Sequence, residues 1–107
     1  MIVYVAHPLR GNEEENRQLI SEILRELDKD FPEWLFLSPI HSFGWLGGDH
    51  ERALTLCLRL LAQADELWLF GDWWNSEGCV TERNEAKRLG IPVCVPTRIP
   101  MEVKRRG

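Results

Sequence analysis

The sequence predicts an α/β fold in which a single doubly wound parallel sheet of four to five strands lies between two layers of helices. Short apolar runs without polar alternation recur along the chain, and longer segments with apolar residues at helical spacing separate them. Such apolar runs are typical of parallel strands, which are buried on both faces. Strands that alternate with helices imply right-handed crossovers and the order β-α-β-α-β-α-β, as in three-layer flavodoxin-like and Rossmann-like folds.

Four strands, three helices and one long loop are predicted. They are a strand at 2–6, a helix from 12 to the Phe31-Pro32 step, a strand at 34–37, a loop at 38–50, a helix at 50–64, a strand at 67–70, a helix at 80–89 and a strand at 92–95. Asn12 and Glu15 have the spacing of a capping box. Asp49 is suited to cap the second helix, and Gly90 to end the third.

The composition is that of one soluble globular domain spanning residues 1–107. Apolar residues make up 44% and charged residues 28%, which fits neither a disordered nor a membrane chain. A net charge of -4 gives no electrostatic reason to bind a nucleic acid polymer. No apolar run reaches the ~18 residues of a spanning helix and the N-terminus lacks signal-peptide features, so we expect no membrane partner and a cytoplasmic protein. Cys57, Cys79 and Cys94 are predicted to be free thiols.

The second predicted helix is apolar almost all round. Its apolar residues are Ala53, Leu54, Leu56, Cys57, Leu58, Leu60 and Leu61. A helix of this kind must be covered on two sides. We therefore expect a homo-oligomer, either a dimer or a larger assembly.

Two loops are the expected ligand-binding region, because ligands of doubly wound folds lie beyond the carboxyl ends of the strands. These loops are 7–12 and 71–78, and the second leads into a helix with Ser76 and Gly78 at its start and Glu82 one turn in. A glycine there lets a ligand approach the backbone amides, and the helix end favours an anion. Glu82 suits covalent glycosidic chemistry, in which a carboxylate attacks the anomeric carbon. A glutamate in a first helical turn is also common as a mere dipole and capping residue.

Two motifs resemble the nucleoside 2-deoxyribosyltransferase superfamily, and within it the 2′-deoxynucleoside 5′-phosphate N-hydrolase branch most. They are Ser76-x-Gly78-x-x-x-Glu82 and the segment Tyr4-Val5-Ala6-His7-Pro8-Leu9-Arg10-Gly11. The resemblance implies a nucleoside or nucleotide substrate, with Glu82 as the nucleophile and Tyr4 near the sugar and the catalytic carboxyl. It also implies that Arg10, Gly11 and Ser76 hold a 5′-phosphate. The expected substrate-binding residues are His7, Pro8, Arg10, Gly11, Asp72, Ser76 and Gly78.

One position departs from that family. The family's catalytic aspartate lies eight residues before the aspartate that matches Asp65, and Cys57 stands there in this chain. A thiol is no substitute for a carboxylate as an acceptor of strong charge-assisted hydrogen bonds. Asp49, Asp72 and Glu77 are candidates to replace it from another direction, and their spacing selects none of them.

The remaining residues leave alternatives open. Trp45, Trp73 and Trp74 lie in the two loops that would border the site, where they would either stack on a nucleobase or be buried between subunits. The three histidines match no zinc or facial-triad spacing, so we expect neither a metal nor a cofactor.

Three functions are consistent with these observations. The first is hydrolysis or transfer at the N-glycosidic bond of a (deoxy)nucleoside or nucleoside 5′-monophosphate through a glutamate nucleophile. The second is a catalytically weakened module of the same fold that binds nucleotide derivatives. In the third, the tryptophans and the leucine-rich helix serve only assembly.

Overall fold

The computed structural model of the chain describes residues 1–96. Its strands and helices, in chain order, are β1 (Ile2–Ala6), α1 (Glu13–Asp30), β2 (Leu35–Leu37), α2 (Pro39–Phe43), α3 (His50–Leu61), β3 (Glu66–Leu69), α4 (Glu77–Leu89) and β4 (Val93–Cys94). Two short 3-10 helices, Gly44–Leu46 and Trp73–Asn75, precede α3 and α4. Within this part of the chain, no helix is long and apolar enough to span a bilayer.

The described strands form one four-stranded sheet in the order β2-β1-β3-β4, and each neighbouring pair is parallel. The chain leaves β1 toward one edge of the sheet and leaves β3 toward the other. The strand order therefore reverses between β1 and β3, and the loops that follow these two strands diverge from a common point. This arrangement confirms the predicted α/β fold.

Side chains that alternate along β1 and β3 divide the core into two layers. Val3, Val5 and Trp68 face α1, where Ile23 and Leu27 pack against them. The opposite layer, which α3 and α4 cover, contains Tyr4, Ala6, Leu61, Leu67, Leu69, Cys79 and Ala86. The alternation thus places Tyr4 on the side of the sheet that carries α4.

Two of the three predicted helix ends are confirmed. The side chain of Asp49 accepts a hydrogen bond from a backbone amide of the first turn of α3 at 3.1 Å, and Gly90 ends α4 with a φ of 76°. The capping box is wrong, because the Asn12 side chain makes no capping hydrogen bond to any described residue. Instead Asn16 donates from Nδ2 to the carbonyl oxygen of Leu9 at 2.9 Å, which ties the loop after β1 to the first turn of α1.

The predicted loop at 38–50 is also partly wrong, since it contains α2 and a 3-10 helix. Pro39 is the first residue of α2, a position where its missing N–H breaks no helical hydrogen bond. The carbonyl oxygen of Ser38 accepts from the amide of Ser42 at 3.1 Å and closes the turn. Pro39 and Gly44 therefore lie at the first positions of short helices here and do not prevent them from forming.

Candidate active site

The two loops predicted to bind a ligand are in contact. The amide of Phe70 donates to the carbonyl oxygen of Ala6 at 3.0 Å, which extends the pairing of β1 and β3 to the start of both loops. Gly71 follows with a φ of +65°, and a Cβ atom there would lie 2.9 Å from Nε2 of His7 and 3.3 Å from Cδ of Pro8. The side chains of the loop after β1 rest directly against the backbone of the loop after β3, so a Cβ at Gly71 would require the His7 ring to shift.

Replacing Gly71 with alanine is expected to destabilise the protein by roughly 2–4 kcal/mol, because it combines a left-handed backbone with a side-chain clash. Urea denaturation measures this change. Gly47→Ala is the matched control, since Gly47 has a φ of +63° with nothing within 4 Å of its would-be Cβ. Equal losses of unfolding free energy in the two variants would show that the clash with His7 does not contribute to the destabilisation.

Tyr4 and Glu82 meet beneath these loops. Tyr4 is fully buried in β1, and Glu82, one turn into α4, is 5% exposed. The Tyr4 hydroxyl donates a hydrogen bond to Oε2 of Glu82. Because the two residues are 78 positions apart, this bond joins the first strand to the last described helix. The structure therefore brings together the two residues predicted to be catalytic.

Burial changes the acidity of this carboxyl group. Desolvation raises the pKa of Glu82 from 4.5 to about 7, and the hydrogen bond from Tyr4 acts in the opposite direction by stabilising the carboxylate. Near neutral pH the side chain thus exchanges between a carboxylate and a carboxylic acid. A group with this pKa can serve as a nucleophile or as a proton carrier at physiological pH.

Two thiols interact electrostatically with Glu82. Cys57 of α3 is half-buried and packs against the core cluster that contains Tyr4, and burial together with the charge of Glu82 raises the pKa of its thiol to about 11. Burial also raises the pKa of Cys79 to about 12, although its contact with Ser76 opposes this shift. Both thiols are therefore protonated at neutral pH. Cys57, the position at which the resemblance implies an aspartate, lies near the predicted catalytic pair.

The start of α4 is organised as an anion-favouring helix end. Ser76 is its N-cap and accepts a hydrogen bond from the amide of Cys79 at 3.3 Å, so the helix begins at Glu77, three residues earlier than predicted. Gly78 lies in the first turn, and the nearest atom to its would-be Cβ is Oγ of Ser76 at 4.0 Å. Asp72, in the preceding loop, is exposed.

The loop after β1 carries the other predicted binding residues. Arg10 and Gly11 are exposed, and Gly11 has a φ of +101°. His7 and Pro8 are half-buried, and Nδ1 of His7 lies 2.7 Å from the carbonyl oxygen of Pro8. This proximity favours the tautomer in which Nδ1 carries the proton and donates it.

The three loop tryptophans differ in their surroundings. Trp73 is half-buried under the guanidinium group of Arg83, which lies 5.6 Å from the ring centroid. Trp74 and Trp45 are 62% and 74% exposed. The exposed faces are open to either a nucleobase or a second subunit.

A cavity of about 500 Å³ lies elsewhere, on the outer side of α1, and it includes neither Tyr4 nor Glu82. Its lining residues are Glu14, Arg17, Gln18, Ser21, Glu22, Arg25 and His41. His41 bridges two serines there, with Nε2 at 2.8 Å from Oγ of Ser21 and Nδ1 at 2.8 Å from Oγ of Ser38. Sequence reasoning missed this cavity, and the only sequence signal for it is the four-residue spacing of Arg17, Ser21 and Arg25 along one face of α1. Residues 1–96 contain no group of three side chains suited to hold a metal ion.

The described residues form a parallel α/β fold in which the buried Tyr4–Glu82 pair joins the first strand to α4. The chain is similar to the solved structure of 2-deoxyribosyltransferase from the psychrotolerant bacterium Bacillus psychrosaccharolyticus, with a TM-score of 0.65 and 20% identity over 98% of this chain and 81% of that chain. That enzyme is described as a biocatalyst for the synthesis of antiviral and antitumoral nucleosides. The chain belongs to the family of the domain of unknown function DUF4406, whose model matches residues 1–95. No curated protein matches it significantly.

Proposed function

We propose that this protein is an enzyme that hydrolyses or transfers the N-glycosidic bond of a (deoxy)nucleoside or a nucleoside 5′-monophosphate. The observation that carries the proposal is the buried hydrogen bond between Tyr4 and Glu82 beneath two loops that meet at the switch point of the sheet. A carboxylate held in this way is the group that double-displacement glycoside chemistry requires.

In the proposed mechanism, Glu82 attacks the anomeric carbon of the sugar as the bond to the base breaks. A glycosyl ester on Glu82 results, and the base departs with the electron pair of the broken bond and takes up one proton from solvent. Water or a second base then attacks the same carbon, releases one proton to solvent and regenerates the carboxylate. Tyr4 holds one carboxylate oxygen, which fixes the direction of the other. Activity is expected to rise between about pH 6 and pH 8, because the ionised form of Glu82 is the nucleophile and its pKa is about 7.

The loops supply a complementary environment for the substrate. The capped N-terminus of α4, with Ser76 and Gly78, favours the 5′-phosphate of a nucleotide, and Arg10 and Gly11 would approach it from the loop after β1. His7, Pro8 and Asp72 would line the sugar and base. This arrangement supports a nucleoside 5′-monophosphate N-hydrolase as the specific activity.

A nucleotide-binding module is the second candidate, and the observation that favours it is the thiol of Cys57 next to Tyr4.

We also propose that the protein is a homo-oligomer, a dimer or larger. Among the residues of α3, only Leu61 is fully buried within the described chain, which leaves several leucines partly exposed for a neighbouring subunit.

A ligand panel separates these functions. The protein is incubated with nucleosides and nucleoside 5′-monophosphates, and chromatography follows the release of free base. If the protein is an N-glycosidase, it releases free base from at least one of these compounds. Thermal stabilisation by a nucleotide without base release identifies a binder, because a ligand that is specific for the folded state raises its stability. If the protein shows neither base release nor thermal stabilisation with any of these ligands, both functions are contradicted.

Replacing Tyr4 with phenylalanine is expected to move the pH dependence of base release upward. The hydrogen bond from Tyr4 lowers the pKa of Glu82, so its loss leaves the carboxylate without this stabilisation and raises that pKa above 7. We expect kcat/KM at pH 6.5 to fall about 10–100-fold and to recover partly at higher pH. The measurement is a pH profile of kcat/KM. A uniform loss of activity at every pH would contradict the proposed effect on Glu82.

A further inference from the structure

The cavity on the outer side of α1 contains a serine–histidine pair that the proposed function does not use. Oγ of Ser21, in the middle of α1, lies 2.8 Å from Nε2 of His41 in α2. Nδ1 of the same imidazole lies 2.8 Å from Oγ of Ser38. A hydroxyl, an imidazole within hydrogen-bonding distance of it and a third polar group that orients the imidazole form the arrangement that activates a serine as a nucleophile.

Ser38 holds the imidazole from a fixed position. It is 6% exposed, and its carbonyl oxygen accepts hydrogen bonds from the amide and the hydroxyl of Ser42 at 3.1 and 2.9 Å. When Oγ of Ser38 accepts the proton of Nδ1, the other ring nitrogen is left as an acceptor for the hydroxyl of Ser21. In this tautomer His41 is the proton acceptor that a serine nucleophile requires.

The cavity gives a small molecule access to this pair. Its volume is about 500 Å³, and both Ser21 and His41 line it. Pockets that bind small molecules typically measure roughly 300–1,000 Å³. Ser21 is half-buried and His41 is exposed, so a molecule in the cavity can contact the hydroxyl and the imidazole together.

The polar neighbours of Ser21 on its face of the helix are hydrogen-bond donors. Arg17 and Arg25 lie one turn before and one turn after it, Gln18 lies three residues before it, and all three line the cavity. An attacked carbonyl group develops a negative charge on its oxygen, which guanidinium and amide donors stabilise. The two arginines also favour a substrate that is itself negatively charged.

Two glutamates line the same cavity but are placed differently around Ser21. The Cβ atom of Glu22 is rotated by about 100° around the helix axis from that of Ser21, since the two residues are consecutive. Glu14 lies seven residues, or about two turns, before Ser21. The charged groups one turn from the hydroxyl are therefore both positive.

We propose that Ser21 is a second nucleophile of this protein, which His41 activates as a general base and Ser38 positions, and that it hydrolyses small carboxylic esters that carry a negative charge. This inference goes beyond the proposed function, because neither Tyr4 nor Glu82 lines the cavity.

The proposed reaction needs only the ester and water. Oγ of Ser21 bonds to the carbonyl carbon, its proton passes to Nε2 of His41, and the alcohol leaves with the electron pair of the broken carbon–oxygen bond and takes that proton. Water then attacks the acyl carbon and gives one proton to the imidazole. The acid departs as its bond to Oγ breaks, and the proton on His41 returns to Ser21.

Diisopropyl fluorophosphate tests the nucleophile directly. Oγ of Ser21 bonds to phosphorus, fluoride leaves, and the hydroxyl proton passes to the imidazole and then to solvent. Trypsin cleaves after arginine, so residues 18–25 form a peptide in which Ser21 is the only hydroxyl-bearing residue, and mass spectrometry locates the label. We expect labelling at least about 100-fold faster at Ser21 than at Ser42, an exposed serine whose hydroxyl donates to a backbone carbonyl. Equal rates at the two serines would overturn the proposal.

Added imidazole separates a catalytic role of His41 from a structural one, because this side chain also tethers α2 to α1. In His41→Ala, we expect labelling of Ser21 to slow at least about 100-fold and to recover in part when imidazole is added. If the folded variant, checked by circular dichroism, shows no gain in rate with imidazole, His41 is not the general base and the proposal fails.

The hydroxyl of Ser38 is tested by two substitutions. Ser38→Ala is expected to slow labelling of Ser21 about tenfold, since the imidazole loses the group that orients it, and Ser38→Thr is expected to recover most of the rate because it keeps the hydroxyl. Equal losses in the two variants would refute the positioning role given to Ser38.

The charge of the substrate is tested with 4-acetoxybenzoate and its uncharged methyl ester. The measurement is kcat/KM for release of the phenol, with Ser21→Ala as the background. In the double variant Arg17→Gln/Arg25→Gln, we expect the ratio of the anionic to the neutral ester to fall at least about threefold, whereas Arg52→Gln, on α3, leaves it unchanged. An unchanged ratio in the double variant would refute the anionic substrate class, and full activity in Ser21→Ala would refute the site.

Discussion

Replacing Glu82 with glutamine is expected to lower the rate of base release at least about 1,000-fold, which corresponds to roughly 4 kcal/mol of transition-state stabilisation. Glutamine has nearly the same shape and still accepts the hydrogen bond from Tyr4, but its amide oxygen is a poor nucleophile. The glycosyl ester therefore cannot form. The measurement is kcat/KM on the best substrate of the panel, by chromatography of the free base.

A matched control lies one turn further along the same helix. Glu85 forms a salt bridge with Arg88 at 2.7 Å, and Arg88 is largely exposed. Glu85→Gln removes the same charge from α4 and leaves the residues of the proposed site unchanged. The kcat/KM of this variant should therefore equal that of the wild type. Retention of more than a tenth of the activity in Glu82→Gln would exclude this residue as the nucleophile.

The sequence predicts the fold well because its main signals are local. Apolar runs and helical periodicity identify each strand and helix. The right-handedness of crossover connections between parallel strands then restricts the fold to a few possible topologies. Predictions failed where short elements depend on tertiary contacts. The proline and glycines at 38–50 favoured a loop, but the chain forms two short helices there. Asn12 had the spacing of a capping box, yet Asn16 makes the contact that orders this turn.

The candidate site could be predicted only as a set of positions. Parallel topology placed the loops after β1 and β3 at the same edge of the sheet, and the close approach of His7 to Gly71 shows that they are in contact. The sequence could not predict that Glu82 is desolvated, since burial depends on the packing of α4 against Tyr4. The thiol environment likewise depends on how α3 approaches β1.

The buried carboxyl group should make the stability of the protein depend strongly on pH. Because burial raises the pKa of Glu82 from 4.5 to about 7, the folded protein binds this proton more tightly than the unfolded chain does. The stabilisation is complete below about pH 4.5 and is lost as the pH rises through 7. Over that interval the wild type should lose roughly 3 kcal/mol relative to Glu82→Gln, whose side chain does not titrate.

The difference in the free energy of unfolding between the wild type and Glu82→Gln reports on Glu82 alone, since every other titratable group is common to both proteins. Urea denaturation at pH 5 and at pH 8.5 gives the free energy of unfolding of each, and glutamine should become the more stabilising residue at the higher pH. In thermal melts the relative shift would be on the order of 15 °C for a domain of this size. A difference that does not vary with pH would mean that Glu82 is solvated in solution, which would also remove the physical basis for its activation near neutral pH.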